Sequence, residues 1–451
     1  MLQYKTIERY EVLKYCIMLI VLSSLIVPLA KNDSFAVVVL LGTGLLGIAL
    51  LALLNKNFLG ELKFKKRYLV PFEIFGGSFL INGAYFGVVG YIAIGLIFCA
   101  VMPLVYRVLS CHSTEAICRA IAKGVIYSFI IFCVLSLLFG MPLDRFQYFA
   151  FVKNPNIVGS MSAITTAAAL YLIQINKVFK RKVVLYCFVI GVATSICYLS
   201  YSRTSLSAIL LQIIIVGFVE FIKYMRDEDG RKLLNIAKNI IIFILIVIIS
   251  FLGVFISLTT VKLKIEPYVE DVQEVLVIFD DYSGRNPSGK VSLLECIGLS
   301  NDYLDKGIEE QDMVAFTSGR TLIWEDYLKN TSFMGHSKES RDIDIGYRVY
   351  DDTNAHNVYI QAAYSAGIVA GIAIFVIVAM TGIELLVSGV KFLFKKTVIS
   401  NETMFLISAF FVFGISSMTS AGYMIFTYLP ATLFWLLFFI IMIKKDEIKN
   451  V

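Results

Sequence analysis

Apolar runs of about twenty residues, each bounded by charged positions, recur along the whole chain. A helix of that length matches the ~30 Å hydrocarbon core of a bilayer. Read this way, the sequence predicts twelve spans, at residues 13–30, 35–54, 69–82, 85–106, 122–140, 157–175, 183–200, 204–222, 239–258, 357–380, 402–419 and 424–443. The third is short, and the 69–106 region can be cut in more than one way. The runs are too long and unbroken for the alternating strands of a membrane β-barrel. The predicted fold class is an all-α polytopic membrane protein. No small-residue cleavage site follows the N-terminal run, so it reads as a first span and not as a removed signal peptide.

Charge assigns the sides. With the N-terminus placed in the cytoplasm, inner segments hold 26 Lys and Arg and the short outer loops hold 4. Cations concentrate on the cytoplasmic side of spans, so both termini are expected inside. Residues 259–356 then form one large outer loop between the ninth and tenth spans. The division expected is 1–258 for nine spans, 259–356 for the loop domain and 357–451 for three spans and the C-terminus. The loop has 98 residues, with 19 Asp and Glu against 10 Lys and Arg. A connector of that length is usually functional. Helical patterns occur at 291–313 and 319–330; Ser318 is a candidate cap for the second, with Leu322, Ile323 and Tyr327 as its apolar stripe. No internal repeat is evident.

Composition agrees. The chain of 451 residues is 58% hydrophobic and 16% charged, against roughly 45–50% and 25% in soluble domains. That excludes a soluble enzyme, a disordered chain and a fibrous protein. The net charge of +6 mostly reports topology. Eight Cys form no CxxC pair, and only Cys296 falls in the large loop, so no disulfide is expected within it. Neither a GxxxxGK[ST] nor a GxGxxG motif is present. This argues against a nucleotide-driven pump and against a nucleotide-sugar enzyme.

The informative charges are those that topology does not require. Arg203, in Tyr201-Ser202-Arg203-Thr204-Ser205, sits with almost no loop around it on the cation-poor side. It opens a helix, where the macrodipole favours an anion. Two positive ends at one place make an anion site; a snorkelling Arg at the headgroups fits the same pattern. His356, one of three His, lies in Thr353-Asn354-Ala355-His356-Asn357-Val358-Tyr359. A helix N-terminus and nearby arginines lower an imidazole's pKa, and a neutral imidazole is what a general base needs. An interfacial His bonded to backbone is the plainer alternative. Asn354 is the better cap candidate in this reading.

Ser318-Gly319-Arg320 places Arg320 in the first turn of a predicted helix, with Trp324 one turn later on the same face. Read functionally, the guanidinium binds a phosphate and the indole packs on a sugar or at the membrane surface; a solvated Arg beside a core Trp is the alternative. Asn154-Pro155-Asn156 with Gly159 marks entry to the sixth span, as turn chemistry and close packing. The acidic run Glu266, Glu270, Asp271, Glu274, Asp280 and Asp281 fits no EF-hand and reads as a solvated face.

These segments, in this order around one large outer loop, resemble the O-antigen ligase/polymerase superfamily of Wzy and WaaL types. The carriers are Asn154-Pro155-Asn156 with Gly159, Ser202-Arg203, Ser318-Gly319-Arg320 with Trp324, and Ala355-His356-Asn357 followed by Tyr359 and Gly367. The resemblance implies a GT-C-like glycosyltransferase of the bacterial cytoplasmic membrane. Its donor would be an undecaprenyl-diphosphate-linked glycan, its site would lie on the outer face, and it would need no metal or other cofactor. It assigns Arg203 and Arg320 to the donor diphosphate and His356 to the acceptor hydroxyl, with Asn156, Trp324, Asn357, Asp352 and Tyr359 in support. Asp352, four residues before His356, can orient the imidazole or serve as base itself. The acidic loop is the point of departure, since many loops in the superfamily are less acidic.

The expected activity is polymerisation of polysaccharide repeat units by an inverting displacement, with a chain-length regulator as a possible partner and no nucleic acid. A ligase acting on lipid A–core or another acceptor is the nearest rival. A lipid-linked oligosaccharide flippase is the rival from another class, although transporters usually show repeated halves and midplane charges.

Overall fold

The structure is a computed structural model. It describes residues 2–26, 66–110, 112–139, 143–144, 147–148, 150, 155–176, 181–226, 240–258, 320–338, 340–344, 349–395, 398–418 and 429–444. These residues fall into two compact units, Met1–Ile130 with Gly307–Val451, and Ile131–Lys306. The chain is an all-α polytopic membrane protein. Among the described residues eight helices are long and apolar enough to cross a bilayer. The span predicted at 35–54, the start of the one at 424–443, the helical pattern at 291–313, Ser318, Cys296 and the acidic run at 266–281 lie outside the described residues.

In the first unit, helix α1 (Leu2–Ile26) is followed by α2 (Lys66–Phe86) and α3, residues 89–110. The predicted spans 69–82 and 85–106 are thus two full helices joined at Gly87, whose φ is +70°. α3 contains a wide π-helical turn, Ile97–Val101, just before Pro103, a residue with no N–H to return to the preceding turn. α4 (Thr114–Phe139) begins in this unit and lies on α1, where Gly124 faces the Lys14 carbonyl and Ile17. Lys14 is buried, paired with Glu11, and its ammonium lies 4.4 Å from the Tyr15 ring and 5.1 Å from that of Tyr127. Two aromatic faces and a carboxylate offset its lost hydration.

The core of this unit is aromatic. Trp435 of α13 (Leu429–Lys444) is fully buried, 5.0 Å from Phe98, 5.5 Å from Phe72 and 5.7 Å from Phe438, all edge-on. Such pairs add about 0.5–1.5 kcal/mol each beyond area burial.

The C-terminal half of this unit starts with α9 (Arg320–Lys329), a hairpin of β3 (Arg341–Asp344) and β4 (Val349–Thr353), and the short α10 (Val358–Ala366). Then come α11 (Ile368–Lys395) and α12 (Asn401–Ser417). The span predicted at 357–380 is corrected here. Nine residues of α10 are too short to cross a bilayer, and the spanning helix is the 28-residue α11. The break falls at Gly367, with φ +94° and ψ 159°, a conformation that is essentially restricted to glycine.

In the second unit, the two-residue strands β1 (Leu143–Asp144) and β2 (Gln147–Tyr148) precede three packed helices, α5 (Pro155–Asn176), α6 (Arg181–Leu199) and α7 (Arg203–Met225). α5 is central and buried from Ile157 to Leu172, over a face rich in Ser, Thr and Ala. Small residues let helix backbones approach where lipid offers no hydrophobic drive. The next described helix, α8 (Ile240–Leu258), is the most apolar of the eight candidate spans and exposes Ile241, Leu245, Ile249 and Ile256. It touches α6 through Ser250 at Gly191 and through Phe251 and Phe255 against Tyr198.

Candidate active site

α9, the hairpin and α10 share one small core of Ile323, Tyr327, Ile343, Ala355 and Tyr364. Tyr327 meets Tyr364 edge-on at 4.6 Å and donates its hydroxyl to the Thr353 carbonyl at 2.7 Å. Arg341 pairs with Asp326 at 3.1 Å, which ties β3 to α9. The hairpin register shifts between Arg341↔Thr353 and Ile343↔Tyr350. Asp351 and Asp352 therefore form a bulge opposite Asp342, a device that re-aims side chains near sites. The side chain of Asp352, a predicted support, lies outside the described residues.

Residues 331–336 run from α9 into the break between α10 and α11. The Ile368 N–H donates to the Ser332 carbonyl at 3.2 Å and the His336 N–H to the Ser365 carbonyl at 3.3 Å. Asn82 of α2, 1% exposed, donates its amide to the Met334 carbonyl. Gly335, at φ +79°, leaves no room for a side chain, since a Cβ would stand 2.6 Å from Asn82 Nδ2 and 2.7 Å from the Gly367 nitrogen. His336 stacks on Tyr364 at 4.2 Å, with Nε2 2.7 Å from the Asn330 carbonyl.

This framework holds His356. Its φ is +46°, in the left-handed region. Its N–H donates to Asn354 Oδ1 at 3.0 Å. Asn357 is the helix cap, accepting from Tyr359 N at 3.0 Å and Ile360 N at 3.2 Å. The expectation that Asn354 caps this helix is thus corrected. Asn354 instead closes the turn that presents His356. Burial first, and the Arg320 guanidinium second, lower the His356 pKa from 6.5 to about 4. Arg320 opens α9, as expected, and Trp324 lies one turn on. Trp324 Nε1 is buried and makes no hydrogen bond among the described residues. Tyr359 is spoken for. Ser417 Oγ donates to the Gly414 carbonyl at 2.8 Å, so the Tyr359 hydroxyl, 3.2 Å away, donates to Ser417 and fastens α10 to α12.

Arg203 is in the second unit, at the first position of α7, after a three-residue link with Tyr201 at φ +53°. The Leu206 N–H bonds the Ser202 carbonyl at 2.9 Å, and the Ser202 hydroxyl donates to Ser205 Oγ at 3.0 Å. Gly159 of α5 is where this link rests: a Cβ there would overlap Ser202 and stand 2.8 Å from Ser205 Oγ. Asn156 is exposed one turn earlier on α5. Gly159→Ala is therefore expected to push α7's first turn away and to cost about 1–3 kcal/mol of stability. Thermal unfolding in detergent reads it; an unchanged midpoint contradicts the close approach.

The structure thus brings Arg320, Trp324, His356, Asn357 and Tyr359 into one unit, and Asn156 and Arg203 into the other. Sequence reasoning passed over Gln361 and Asn82, and read Tyr327 only as part of an apolar stripe. The hairpin had a signal, the alternation Arg341-Asp342-Ile343-Asp344 and Val349-Tyr350-Asp351 around Gly346. Asn82 had none, since its partner is the loop at 334.

Residues 186–375 match the family model Wzy_C, described as O-antigen ligase. That stretch runs from within α6 into α11 and includes Arg203, Arg320, Trp324, His356, Asn357, Tyr359 and Gly367. No curated protein and no solved structure matches the chain.

Proposed function

We propose that this chain, whose residues 186–375 match the O-antigen ligase family model, belongs to the O-antigen ligase/polymerase superfamily and is a polymerase of polysaccharide repeat units. It transfers a growing glycan from undecaprenyl diphosphate to the sugar end of a new lipid-linked unit, on the outer face of the cytoplasmic membrane. One observation carries the chemistry: His356 is a half-buried imidazole kept neutral beside Arg320. A neutral imidazole accepts a proton at pH 7, and an adjacent guanidinium is where a phosphate binds.

The acceptor hydroxyl attacks the anomeric carbon, and His356 takes its proton. The anomeric C–O bond breaks, and the electron pair leaves on the diphosphate. Arg320 stabilises that charge through its planar fork of N–H donors, and the family resemblance assigns Arg203 to the diphosphate as well. A single displacement inverts the anomeric centre. Trp324, with an open indole N–H, offers a face and a donor to a sugar ring. Asn357 and Tyr359 act on the site through the helix they cap and fasten.

Arg320→Gln is expected to lower kcat/KM for the donor by roughly 10²–10³-fold, with partial return in Arg320→Lys. It also lifts the charge from His356, so the acid limb of the rate profile moves to higher pH. An unmoved limb contradicts the pairing.

The reading is tested with purified protein in detergent and a synthetic lipid-diphosphate-linked repeat unit as sole substrate. A ladder of repeat multiples with release of lipid diphosphate supports the polymerase. Transfer only after a second acceptor is added means the ligase. No covalent product with either leaves the flippase.

A further inference from the structure

His356 stands at positive φ between two anchored stretches of backbone, and one anchor comes from a residue with no place in the chemistry above. Gln361 lies one turn into α10 and is 2% exposed. Its side chain folds back past the Asn357 cap, and Oε1 accepts the Ala355 N–H at 2.8 Å. The amide's orientation is settled, because a backbone N–H needs an acceptor, which leaves Nε2 to donate to Ser365 Oγ at 2.9 Å. Ala355 and Ser365 are fully buried, so no water can replace either bond. Ala355 is held by Gln361, the His356 N–H by Asn354 Oδ1, and the chain beyond by the Asn357 cap.

We propose that Gln361 is a positioning residue for His356: its carbonyl pins Ala355 and so keeps the imidazole at the left-handed turn where it meets the acceptor. The inference rests on His356 being the base. A β-carbon at positive φ is strained and stays there only while its surroundings enforce it. Without the Ala355 anchor the turn relaxes to negative φ and carries the ring off the reacting atoms.

The test is a set of variants assayed with the lipid-linked repeat unit, with rates expressed per folded molecule. Gln361→Met keeps the volume and removes the acceptor; kcat falls about 100-fold, while KM for the donor changes little. Gln361→Glu keeps the acceptor and recovers most of the rate. In a His356→Ala background Gln361→Met has no further effect, because it acts through that ring. Parental kcat in Gln361→Met, or an equal loss in both backgrounds, overturns the proposal. A fully active His356→Ala overturns the base reading instead. If Gln361→Met yields no folded protein, Gln361→Glu decides: a rate in the folded variant as low as that of His356→Ala, with the acceptor kept, overturns the proposal.

Discussion

His356→Ala is expected to slow sugar transfer roughly 10²–10⁴-fold, with folded protein in normal amount and KM for the lipid-linked donor little changed. The pH profile is the sharper result. An ordinary His loses its base function below pH 6.5. Here burial and Arg320 hold the group at about 4, so the parental rate stays level well below neutrality and is half lost near that lower value. The same shift carries a stability term of opposite reach. The unfolded chain binds this proton below pH 6.5 and the folded chain only near 4, so stability is full above 6.5 and falls as pH drops toward 4. At the bottom of that window the loss is of the order of 3 kcal/mol. His356→Gln lacks this segment of the melting-temperature profile. An acid limb at 6.5, or a His356→Ala rate equal to the parent's, sinks the assignment.

Gly367→Ala is expected to be the most damaging added methyl among the described glycines. The position combines φ +94° and ψ 159° with a backbone neighbour: a Cβ there would overlap the Phe333 carbonyl and stand 3.3 Å from the Met334 carbonyl carbon. Neither strain nor contact can be relieved by turning a side chain. Together they cost about 3–5 kcal/mol, a large share of the ~5–15 kcal/mol by which domains are stable. Little folded protein is expected, with a lowered unfolding midpoint in what remains. Gly217→Ala, in the interior of α7 with nothing within 4 Å, is the control. It should be neutral or slightly stabilising, by about 0.5–1 kcal/mol. Equal midpoints in the two variants would show that the break between α10 and α11 does not depend on glycine.

The break also shows why an apolar pattern misled at one span and succeeded at most others. Membrane crossing is a property of a window of about twenty residues, because the bilayer fixes the length and requires every backbone group to be bonded within the segment. Helices at Pro155–Asn176, Arg181–Leu199 and Arg203–Met225 therefore lie within a few residues of the spans read at 157–175, 183–200 and 204–222. The apolar run from Val358 onward looks like one more such window. It is two helices because the loop at 331–336 occupies the gap; within the run only Gly367 marks the break, and it does not show that loop.

The candidate site divides along the same line. The chain's own order of residues determined that Arg203 opens a helix with almost no loop before it, and that Arg320 and Trp324 lie one turn apart on a helix. Those are local facts, set by spacing. The backbone of His356 was out of reach: its positive φ depends on Asn354, the Asn357 cap and Gln361 acting together, and its low pKa on burial and on Arg320 from 36 positions earlier. Asn354 and Asn357 are both good caps by type, and only the packing of α10 on α9 and α11 selects between them. Sequence alone determined a polytopic helical membrane protein and the residue types of its candidate site. Tertiary structure decided which of them are brought near, held still and kept neutral, because those properties arise from contacts between segments that no local window contains.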